Sequence, residues 1–430
     1  MQRGLASARD AASPATPAAA GGYAPRRGVT ARRHRRATSS EQRGPAVIAS
    51  TPTGPVNVVS IATAVPPTSL PQDEVRDLFA GQPGLGRLGR RLVGTVFDAS
   101  AIDRRHTVID ELDGEPRDAS IFVDAATRTV LRPSTGTRNA VYTRAVRPLL
   151  TDAAEQAIAD APGLDRGDVS HVITVSCTGF FAPGPDHLLV RDLGLAPSTR
   201  RLHIGFMGCY GAFPALRAAV STCLAEPDAV VLVVCVELCT LHLRSSDDPD
   251  TIVASSVFAD GAAAAVVTAR PAPAGAAVLE VLALETVLTD EGEADMAWTI
   301  GDVGFEMVLS SYVPRILEAG IATALRPLAD RLPALGADGW PQVGQFAVHP
   351  GGRAILDRVQ HALDLSDEQL APSRAVLRGF GNMSSATVLF ILARILHGAD
   401  AAPAGPELVA AMAFGPGLTV ESALLRRVTS

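Results

Sequence analysis

The sequence predicts an α/β fold built from two similar halves, each a layered unit of the βαβ type. Strand-like runs alternate with helix-like stretches in residues 56–268, the same alternation returns in residues 276–430, and a Pro- and Ala-rich segment separates the two. The runs are short and rich in Val, Ile and Ala, and the stretches between them are longer and apolar with helical spacing. Such alternation favours sheets that are covered by helices.

The individual elements follow from the same patterns. In the first half, strands are predicted at residues 56–62, 171–176, 201–204, 229–235 and 262–267, and helices at 145–161, 187–193 and 213–226. In the second half, strands are predicted at 277–284, 345–348, 408–414 and 418–425, and helices at 305–325, 352–363 and 384–396. Asp260 and Gly261 are predicted to form a turn, because Asp-Gly pairs favour turns.

Composition excludes several classes of protein. The chain has 430 residues, 47% of them hydrophobic, which is enough for two cores or one large core. A net charge of −7 argues against a chain built to bind nucleic acid. Five cysteines scattered through apolar segments argue against a secreted disulfide framework and indicate a reducing cytoplasm. No cysteine or histidine set has metal-ligand spacing, and no apolar run reaches the roughly 18–20 residues of a membrane span.

Residues 1–46 differ from the rest of the chain. They are rich in Arg, Ala and Pro and contain only two acidic residues, Asp10 and Glu41. A segment of this composition cannot build a core, so we predict that it is disordered. A targeting peptide and a weak binder of anionic surfaces are two interpretations. A solvated extension, or a start site placed too early, is the interpretation that we favour.

Cys209 is the residue that most strongly indicates chemistry. It lies between the predicted strand at 201–204 and the predicted helix at 213–226. The positive end of the helix dipole is expected to lower the pKa of a thiol in this place and so to supply a nucleophilic thiolate. Gly208 and Gly211 leave room for a second group beside the sulfur. The alternative, a small buried core cysteine, is more common on local grounds.

A nucleophilic thiol needs a base and donors for the developing oxyanion, and two residues are suitably placed. His349 follows the predicted strand at 345–348 and precedes a Pro-Gly-Gly sequence. Asn382 lies in a Gly-flanked loop before the predicted helix at 384–396. An ordinary N-cap role for Asn382 and a structural role for His349 are the alternatives. Together with Cys209, however, the three residues favour a catalytic site.

Ordered motifs connect these residues to a known family. They are Met-Gly-Cys at 207–209, Val-His-Pro-Gly-Gly at 348–352, Gly-Asn-Met-Ser-Ser at 381–385 and Phe-Gly-Pro-Gly-Leu-Thr-Val-Glu at 414–421, with further matches at 188–195 and 257–264. Through them, residues 56–428 resemble the chalcone synthase-like, or type III polyketide synthase, family of the thiolase superfamily. The resemblance implies a thiolase-like fold, an αβαβα sandwich, and a homodimer.

The resemblance also implies a mechanism. Cys209 takes an acyl group from an acyl-CoA starter, while His349 as an imidazolium keeps the thiolate ionised. Decarboxylation of malonyl-CoA gives an enolate, and its oxygen accepts hydrogen bonds from His349 and Asn382, worth about 3–4 kcal/mol per donor. Claisen condensation then lengthens the chain, which is finally cyclised. Neither a metal nor another cofactor is implied, and the two CoA esters are substrates.

The same resemblance places five further residues at the substrate cavity. Phe258 matches the family's gate residue, and Ser384 belongs to the asparagine motif. Met307 replaces a second gate Phe of plant members, Cys177 replaces a Thr of the starter pocket, and Trp298 replaces a Gly of the cavity wall. These differences favour a long fatty acyl starter and an alkylresorcinol or alkylpyrone product. An aromatic starter, or malonyl-CoA as its own starter, is the alternative.

Other features of the resemblance concern CoA, assembly and rival functions. Arg87, Arg90 and Arg91 are candidates for CoA phosphates, although a solvated helix face is the more common meaning of such a run. Ala182 replaces a Met that crosses the dimer interface in plant members. A ketoacyl synthase III-type enzyme and an inactive thiolase-fold scaffold are the alternative functions.

Overall fold

The computed structural model describes residues 54–115, 119–289, 291–310, 312–398 and 407–429. The predicted disordered extension at 1–46 lies outside these ranges. The strands of the described residues are β1 (Asn57–Ala64), β2 (Thr68–Pro71), β3 (Arg104–Thr107), β4 (His171–Ser176), β5 (Arg200–Gly205), β6 (Val230–Leu238), β7 (Asp260–Thr268), β8 (Ala277–Leu288), β9 (Met296–Gly301), β10 (Gly304–Leu309), β11 (Gln345–Val348), β12 (Glu407–Gly415) and β13 (Thr419–Thr429).

The α-helices of the same residues are α1 (Gln72–Ala80), α2 (Arg87–Asp98), α3 (Thr135–Ala159), α4 (Pro185–Asp192), α5 (Ala212–Ala225), α6 (Pro249–Val257), α7 (Val313–Ala324), α8 (Arg326–Ala329), α9 (Arg353–Leu363), α10 (Asp367–Phe380) and α11 (Thr387–Leu396). Each predicted strand overlaps an observed one. The predicted helix at 145–161 begins ten residues earlier, at Thr135, where the Ser134 hydroxyl accepts a hydrogen bond from Thr137 N–H and caps it.

Nine strands form one sheet whose two halves repeat a single pattern. Outward from the centre, the first half has the order β1, β7, β6, β4, β5 and the second has β8, β13, β12, β11. In both halves the second strand is antiparallel to its two neighbours, and the third and fourth are parallel. The halves meet where Asn57 and Val58 of β1 pair with β8. This repetition agrees with the two similar halves expected from the sequence.

Three layers of helices enclose the two halves of the sheet. α3 packs on β1, β6 and β7, whereas α5 and α11 contact strands of both halves. α7 and α9 pack on the far face of the second half, with Ala410 and Met412. In β6, Val231 and Val233 lie in the core with α5 and α11, and Leu232 and Val234 in the core with α3. Burial on both faces explains the uninterrupted apolar run of β6, and the layering is the predicted αβαβα sandwich.

The predicted helix at 305–325 is wrong over its first part. Residues Gly304–Leu309 form β10, which pairs with β9 in a separate two-stranded hairpin, and the helix α7 begins only at Val313. The pairing sets Met307 opposite Trp298 and Phe305 opposite Ile300. Pro314, in the first turn of α7, marks the true helix start.

The predicted turn at Asp260 and Gly261 is also wrong. Both residues belong to β7 and pair with Leu238 and Glu237 of β6. A Cβ atom on Gly261 would lie 2.5 Å from Sδ of Met383, so the glycine serves close packing rather than a turn.

The helix α10 was not predicted, although Ser366 and Gln369 form a capping box at its start.

Candidate active site

Cys209 lies in a short 3-10 helix, Gly208–Tyr210, between β5 and α5. The chain turns sharply here, because Phe206 and Gly208 have φ angles of 60° and 74°. A Cβ atom on Gly208 would lie 2.5 Å from Cδ of Pro416, so both the conformation and the space require glycine. The turn presents the buried thiol of Cys209 to an internal pocket.

Asn382 and Ser384 lie on the other side of the thiol, in the turn before α11. Asn382 Oδ1 accepts a hydrogen bond from Ser384 N–H at 2.8 Å, and the Asn382 backbone bonds to the residues on either side of Phe258. Because its oxygen is engaged, the Asn382 side chain has its NH₂ group left as a donor. α11 starts only at Thr387, so the alternative of an ordinary N-cap does not apply to Asn382.

His349 follows directly after β11, as predicted, and is 1% exposed. Its backbone N–H donates to Met412 O at 2.8 Å, but neither ring nitrogen has a hydrogen-bond partner among the described residues. The loop after it packs beside α6, since a Cβ atom on Gly352 would lie 3.7 Å from Cγ1 of Val257. An unpaired buried imidazole costs about 1–3 kcal/mol and is retained where a ligand supplies the partner.

Burial sets the protonation states of the resting site. It raises the pKa of Cys209 to about 11, although hydrogen bonds with Ser384 and Asn382 act in the opposite direction. Burial likewise lowers the pKa of His349 to about 3. At pH 7 the resting groups are therefore a thiol and a neutral imidazole, and the lowered thiol pKa expected from the helix start is wrong. The predicted imidazolium–thiolate pair is not the form that burial favours.

Two adjoining pockets surround the site. The inner pocket contains the Cys209 thiol and is lined by Cys177, Thr178, Gly208, Cys209, Cys239, Phe258, Met296, Trp298, Met307, Ser384 and Pro416. The outer pocket is lined by Cys239, His242, Leu243, Arg244, Thr251, Ala254, Ser255, Phe258, Trp298, Phe305 and Met307.

Four residues line both pockets and so form the constriction between them: Cys239, Phe258, Trp298 and Met307. Trp298 is fixed there, because its Nε1–H donates to Cys177 O at 2.8 Å. Trp298 and Met307 face each other across the hairpin. All five residues that the resemblance placed at the cavity, Phe258, Cys177, Met307, Trp298 and Ser384, therefore line the inner pocket.

Glu237 is a residue that sequence reasoning missed. It is fully buried on β6, and its carboxylate accepts hydrogen bonds from Cys177 N–H at 3.0 Å, Thr178 Oγ1 at 2.9 Å and Ser385 Oγ at 2.5 Å. Burial raises the pKa of Glu237 to about 7. The signal was present, since a single acid in the apolar run Val230–Leu238 is unusual without a polar network.

His242 was missed as well. It stacks on Phe305 with ring centroids 4.1 Å apart and meets Trp298 edge to face. Both of its ring nitrogens are engaged, with Thr178 O at 2.8 Å and Phe305 N–H at 3.0 Å. Burial lowers the pKa of His242 to about 4, so it is a neutral wall residue rather than a second acid.

The predicted CoA-binding arginines lie away from the thiol. Arg87, Arg90 and Arg91 are exposed on one face of α2, whose other face is buried through Val93 and Phe97. α2 packs against α6, the helix that supplies Thr251, Ala254 and Ser255 to the outer pocket. The three guanidinium groups therefore lie on a helix that packs against the lining of the outer pocket, and they contact neither Cys209 nor the constriction.

Across the part of the chain that the structure describes, other kinds of site are not found. No group of three or more His, Cys, Asp or Glu side chains is placed to hold a metal ion. The five cysteines are buried and unpaired. None of the described helices combines the length and the apolar character needed to cross a membrane.

Comparison with known proteins agrees with this geometry. Residues 45–271 match the model of the N-terminal domain of chalcone and stilbene synthases, and residues 280–429 match that of the C-terminal domain. The Mycobacterium tuberculosis protein named alpha-pyrone synthesis polyketide synthase-like Pks18 is 32% identical over 91% of this chain and 96% of its own length. Probable polyketide synthase 1 of Dictyostelium discoideum is 29% identical over 86% of this chain, which spans only 11% of that longer protein.

A solved structure extends the likeness to three dimensions. The crystal structure of PKS-I from the brown alga Ectocarpus siliculosus superposes with a TM-score of 0.79 at 30% identity, covering 87% of this chain and 99% of that one. The named relatives are polyketide synthases, which favours polyketide synthesis over the ketoacyl synthase alternative. The chain therefore belongs to the chalcone and stilbene synthase family and is a type III polyketide synthase with the thiolase-like fold.

Proposed function

We propose that the protein is an acyltransferase that loads an acyl-CoA starter on Cys209, extends it with malonyl-CoA and cyclises the product. In the loading step the sulfur of Cys209 attacks the thioester carbonyl and CoA leaves as its thiol. His349 takes the proton of Cys209 during attack and passes it to the departing CoA sulfur. The neutral resting form leaves His349 a ring nitrogen that accepts the proton, and because its pKa of about 3 lies far below the thiol pKa of about 11, the transfer has to accompany attack on the carbonyl rather than precede it.

Extension follows in the same pocket. Malonyl-CoA loses carbon dioxide, and the electron pair of the broken bond forms an enolate whose oxygen accepts hydrogen bonds from Asn382 NH₂ and a ring N–H of His349. The enolate carbon then attacks the acyl carbon on Cys209, the carbon–sulfur bond breaks and releases the Cys209 thiolate, and the lengthened chain leaves as its CoA ester. The ring of Phe258, at the constriction, disfavours the malonyl carboxylate and favours its loss.

The observation that carries the proposal is the pair of unpaired ring nitrogens on His349. Both are buried, and they have no hydrogen-bond partner among the described residues. A substrate oxygen would supply the missing partner. In this proposal the side-chain amide of Asn382, which bonds to the Cys209 thiol, is the second donor.

We propose a long fatty acyl starter and an alkylpyrone or alkylresorcinol product. The lining of the inner pocket by Met296, Met307, Trp298 and Pro416 suits an acyl chain without polar substituents. The relative from Mycobacterium tuberculosis, whose name refers to alpha-pyrone synthesis, supports the pyrone type. An aromatic starter and malonyl-CoA as its own starter are the competing outcomes.

The remaining expectations are part of the same proposal. The enzyme uses no metal or other cofactor, because decarboxylation itself generates the carbanion. The protein acts in the cytoplasm as a homodimer that joins along β5, the edge strand of the sheet. Leu202 on β5 is 45% exposed, which supports coverage of this edge by a second copy. Arg87, Arg90 and Arg91 bind CoA phosphates at the rim of the outer pocket.

The test uses the full chain with malonyl-CoA and, in parallel, long-chain acyl-CoA, aromatic acyl-CoA or no added starter. We expect CoA release and, by mass spectrometry, triketide or tetraketide products with the long-chain starter. Cys209→Ala, assayed beside the wild-type chain, is expected to form none. If no starter gives product, or if Cys209→Ala matches the wild type, the proposal is wrong. Activity with acyl carrier protein in place of CoA would instead indicate the ketoacyl synthase alternative.

A further inference from the structure

The end of α6 carries the gate residue Phe258, and three residues from other parts of the chain donate four hydrogen bonds to its carbonyls. The last carbonyls of a helix have no partner within it and must find one elsewhere. Here Ser256 O accepts from Gln72 Nε2 at 2.8 Å, and Val257 O accepts from Asn382 N–H at 2.8 Å. The two remaining carbonyls, of Ser255 and Phe258, share a single donor.

That donor is Arg105, which comes from β3 and is 3% exposed. Its Nη1 donates to Ser255 O at 2.7 Å and to Phe258 O at 2.8 Å. α6 has no basic residue in its own last turn, so the guanidinium supplies the positive charge that favours a helix C-terminus. Burial lowers the pKa of Arg105 to about 10, which leaves it charged at neutral pH.

The stem of Arg105 also contacts the turn that carries Asn382. A Cβ atom on Gly381 would lie 3.2 Å from Cγ of Arg105 and 2.9 Å from Val257 O, and Gly381 has a φ angle of 71°. Asn382 also pairs with Phe258 through their backbones, in an isolated parallel β-bridge. One side chain therefore touches both the gate segment and the turn beside the thiol.

One ring contact and one nearby charge also act on Arg105, whose Nε and Nη2 have no hydrogen-bond partner among the described residues. Its guanidinium lies over the ring of Phe97, 5.6 Å from the centroid. The carboxylate of Asp260 acts on it through its charge and accepts hydrogen bonds from Val108 N–H and Thr240 N–H, both at 2.8 Å. Asp260 thereby joins β3 to the segment that carries Cys239.

We propose that Arg105 is a positioning residue for decarboxylation, which holds Phe258 and Asn382 in register with each other at the mouth of the inner pocket. The inference rests on the proposed function, in which these two residues act on the malonyl group. We expect acyl loading of Cys209 to depend less on Phe258 and Asn382 than decarboxylation does. Loss of Arg105 should therefore slow decarboxylation more than it slows loading.

The test compares Arg105→Met with the wild-type full chain. Methionine keeps an apolar stem beside Phe97 and removes the donors to Ser255 O and Phe258 O. We expect malonyl-CoA decarboxylation, followed as acetyl-CoA formation, to fall at least about tenfold relative to acyl loading of Cys209, followed by protein mass spectrometry. Arg105→Lys, which keeps the charge, is expected to recover part of this ratio.

Arg128→Met is the matched control. Arg128 also bridges two carbonyls, Glu111 O and Leu112 O, each at 2.9 Å, but lines neither pocket. It should leave the ratio of decarboxylation to loading at the wild-type value even if it lowers the melting temperature. An unchanged ratio in Arg105→Met, or in Arg105→Lys if the methionine variant does not fold, overturns the inference. If the wild-type chain itself neither loads nor decarboxylates, the proposed function fails instead.

Discussion

The two halves of the molecule use one backbone plan to carry different chemistry. In the first half, Cys177 follows β4, and Cys209 lies in a 3-10 turn before the middle-layer helix α5. In the second half, His349 follows β11, and Asn382 precedes a 3-10 turn before the other middle-layer helix, α11. A glycine of positive φ directly precedes each of these two residues, with 74° at Gly208 before Cys209 and 71° at Gly381 before Asn382.

The difference lies in what each half contributes to the site. The first half supplies three thiols to the inner pocket, those of Cys177, Cys209 and Cys239, and the second half supplies Ser384 there and the Asn382 amide beside the Cys209 thiol. His349 lies at the strand end of the second half that corresponds to Cys177 in the first. We expect the sulfur of the first half to form bonds and the nitrogen groups of the second to stabilise charge.

The largest expected effect tests the first half. Cys209→Ala should reduce acyl loading by about 10³-fold or more, because no other group replaces the nucleophile. Loading is measured by mass spectrometry of the protein after incubation with starter. An acyl group found on the Cys209→Ala chain at a rate near that of the wild type would contradict the division between the halves.

The next effect tests the second half. Asn382→Ala should lower malonyl-CoA decarboxylation by about 10²–10³-fold, since one oxyanion donor is lost, while acyl loading of Cys209 stays closer to the wild-type rate. Both rates are measured on the same preparation. Equal losses in the two rates would mean that the amide serves the thiol itself rather than the enolate.

Glu237 joins the two halves. Its carboxyl group accepts hydrogen bonds from Cys177 and Thr178 of the first half and from Ser385 of the second. Its folded pKa of about 7 lies above the ordinary 4.5, so the folded state binds the proton more tightly. The protonated Glu237 therefore adds to the free energy of unfolding. This addition is fully present below pH 4.5 and is lost as pH rises through 7, and the free energy of unfolding falls by at most about 1.4 kcal/mol per pH unit.

Denaturant unfolding of the wild type and of Glu237→Gln over this pH range measures the effect. The glutamine has no titrating proton, so the difference in unfolding free energy between the two chains should shrink as the pH rises from 4.5 to 7. A difference that is constant with pH would show that Glu237 keeps one protonation state throughout.

The smallest expected effect concerns Cys177, the counterpart of His349. Burial and the charge of Glu237 raise the pKa of Cys177 well above its ordinary value, and its sulfur is hydrogen-bonded to Glu237 and Ser384 at 3.5 Å, so we expect it to carry no acyl group. Cys177→Ser keeps a hydrogen-bonding side chain and should leave the loading rate within about twofold of the wild type. Peptide mapping should find the acyl group on Cys209 alone, and acylated Cys177 would contradict this.

Motif residues were predictable because glycines and strand ends mark them in the sequence. The positions of Cys209, His349 and Asn382 at strand and helix ends were predicted in this way, and so was the layered fold, whereas the catalytic roles of the three residues stay predictions. The β9–β10 hairpin was not, although Phe305 and Met307, two residues apart, both line the outer pocket as alternate residues of a strand do.

Long-range contacts account for what else was missed. Arg105 is indistinguishable in sequence from the exposed arginines of α2, since its carbonyl partners are about 150 positions away. The pKa of Cys209 was expected to fall at a helix start, but burial, which depends on the whole fold, outweighs the local dipole.

The shared middle layer has a consequence for synthesis of the chain. α5 packs against strands of both halves, including β8 and β13. While the ribosome is still making the second half, the face of α5 that will meet β13 has no partner and is exposed to solvent. The last strand closes this face only when translation reaches Thr419–Thr429, so nascent chains pass through a long interval in which they are prone to aggregate.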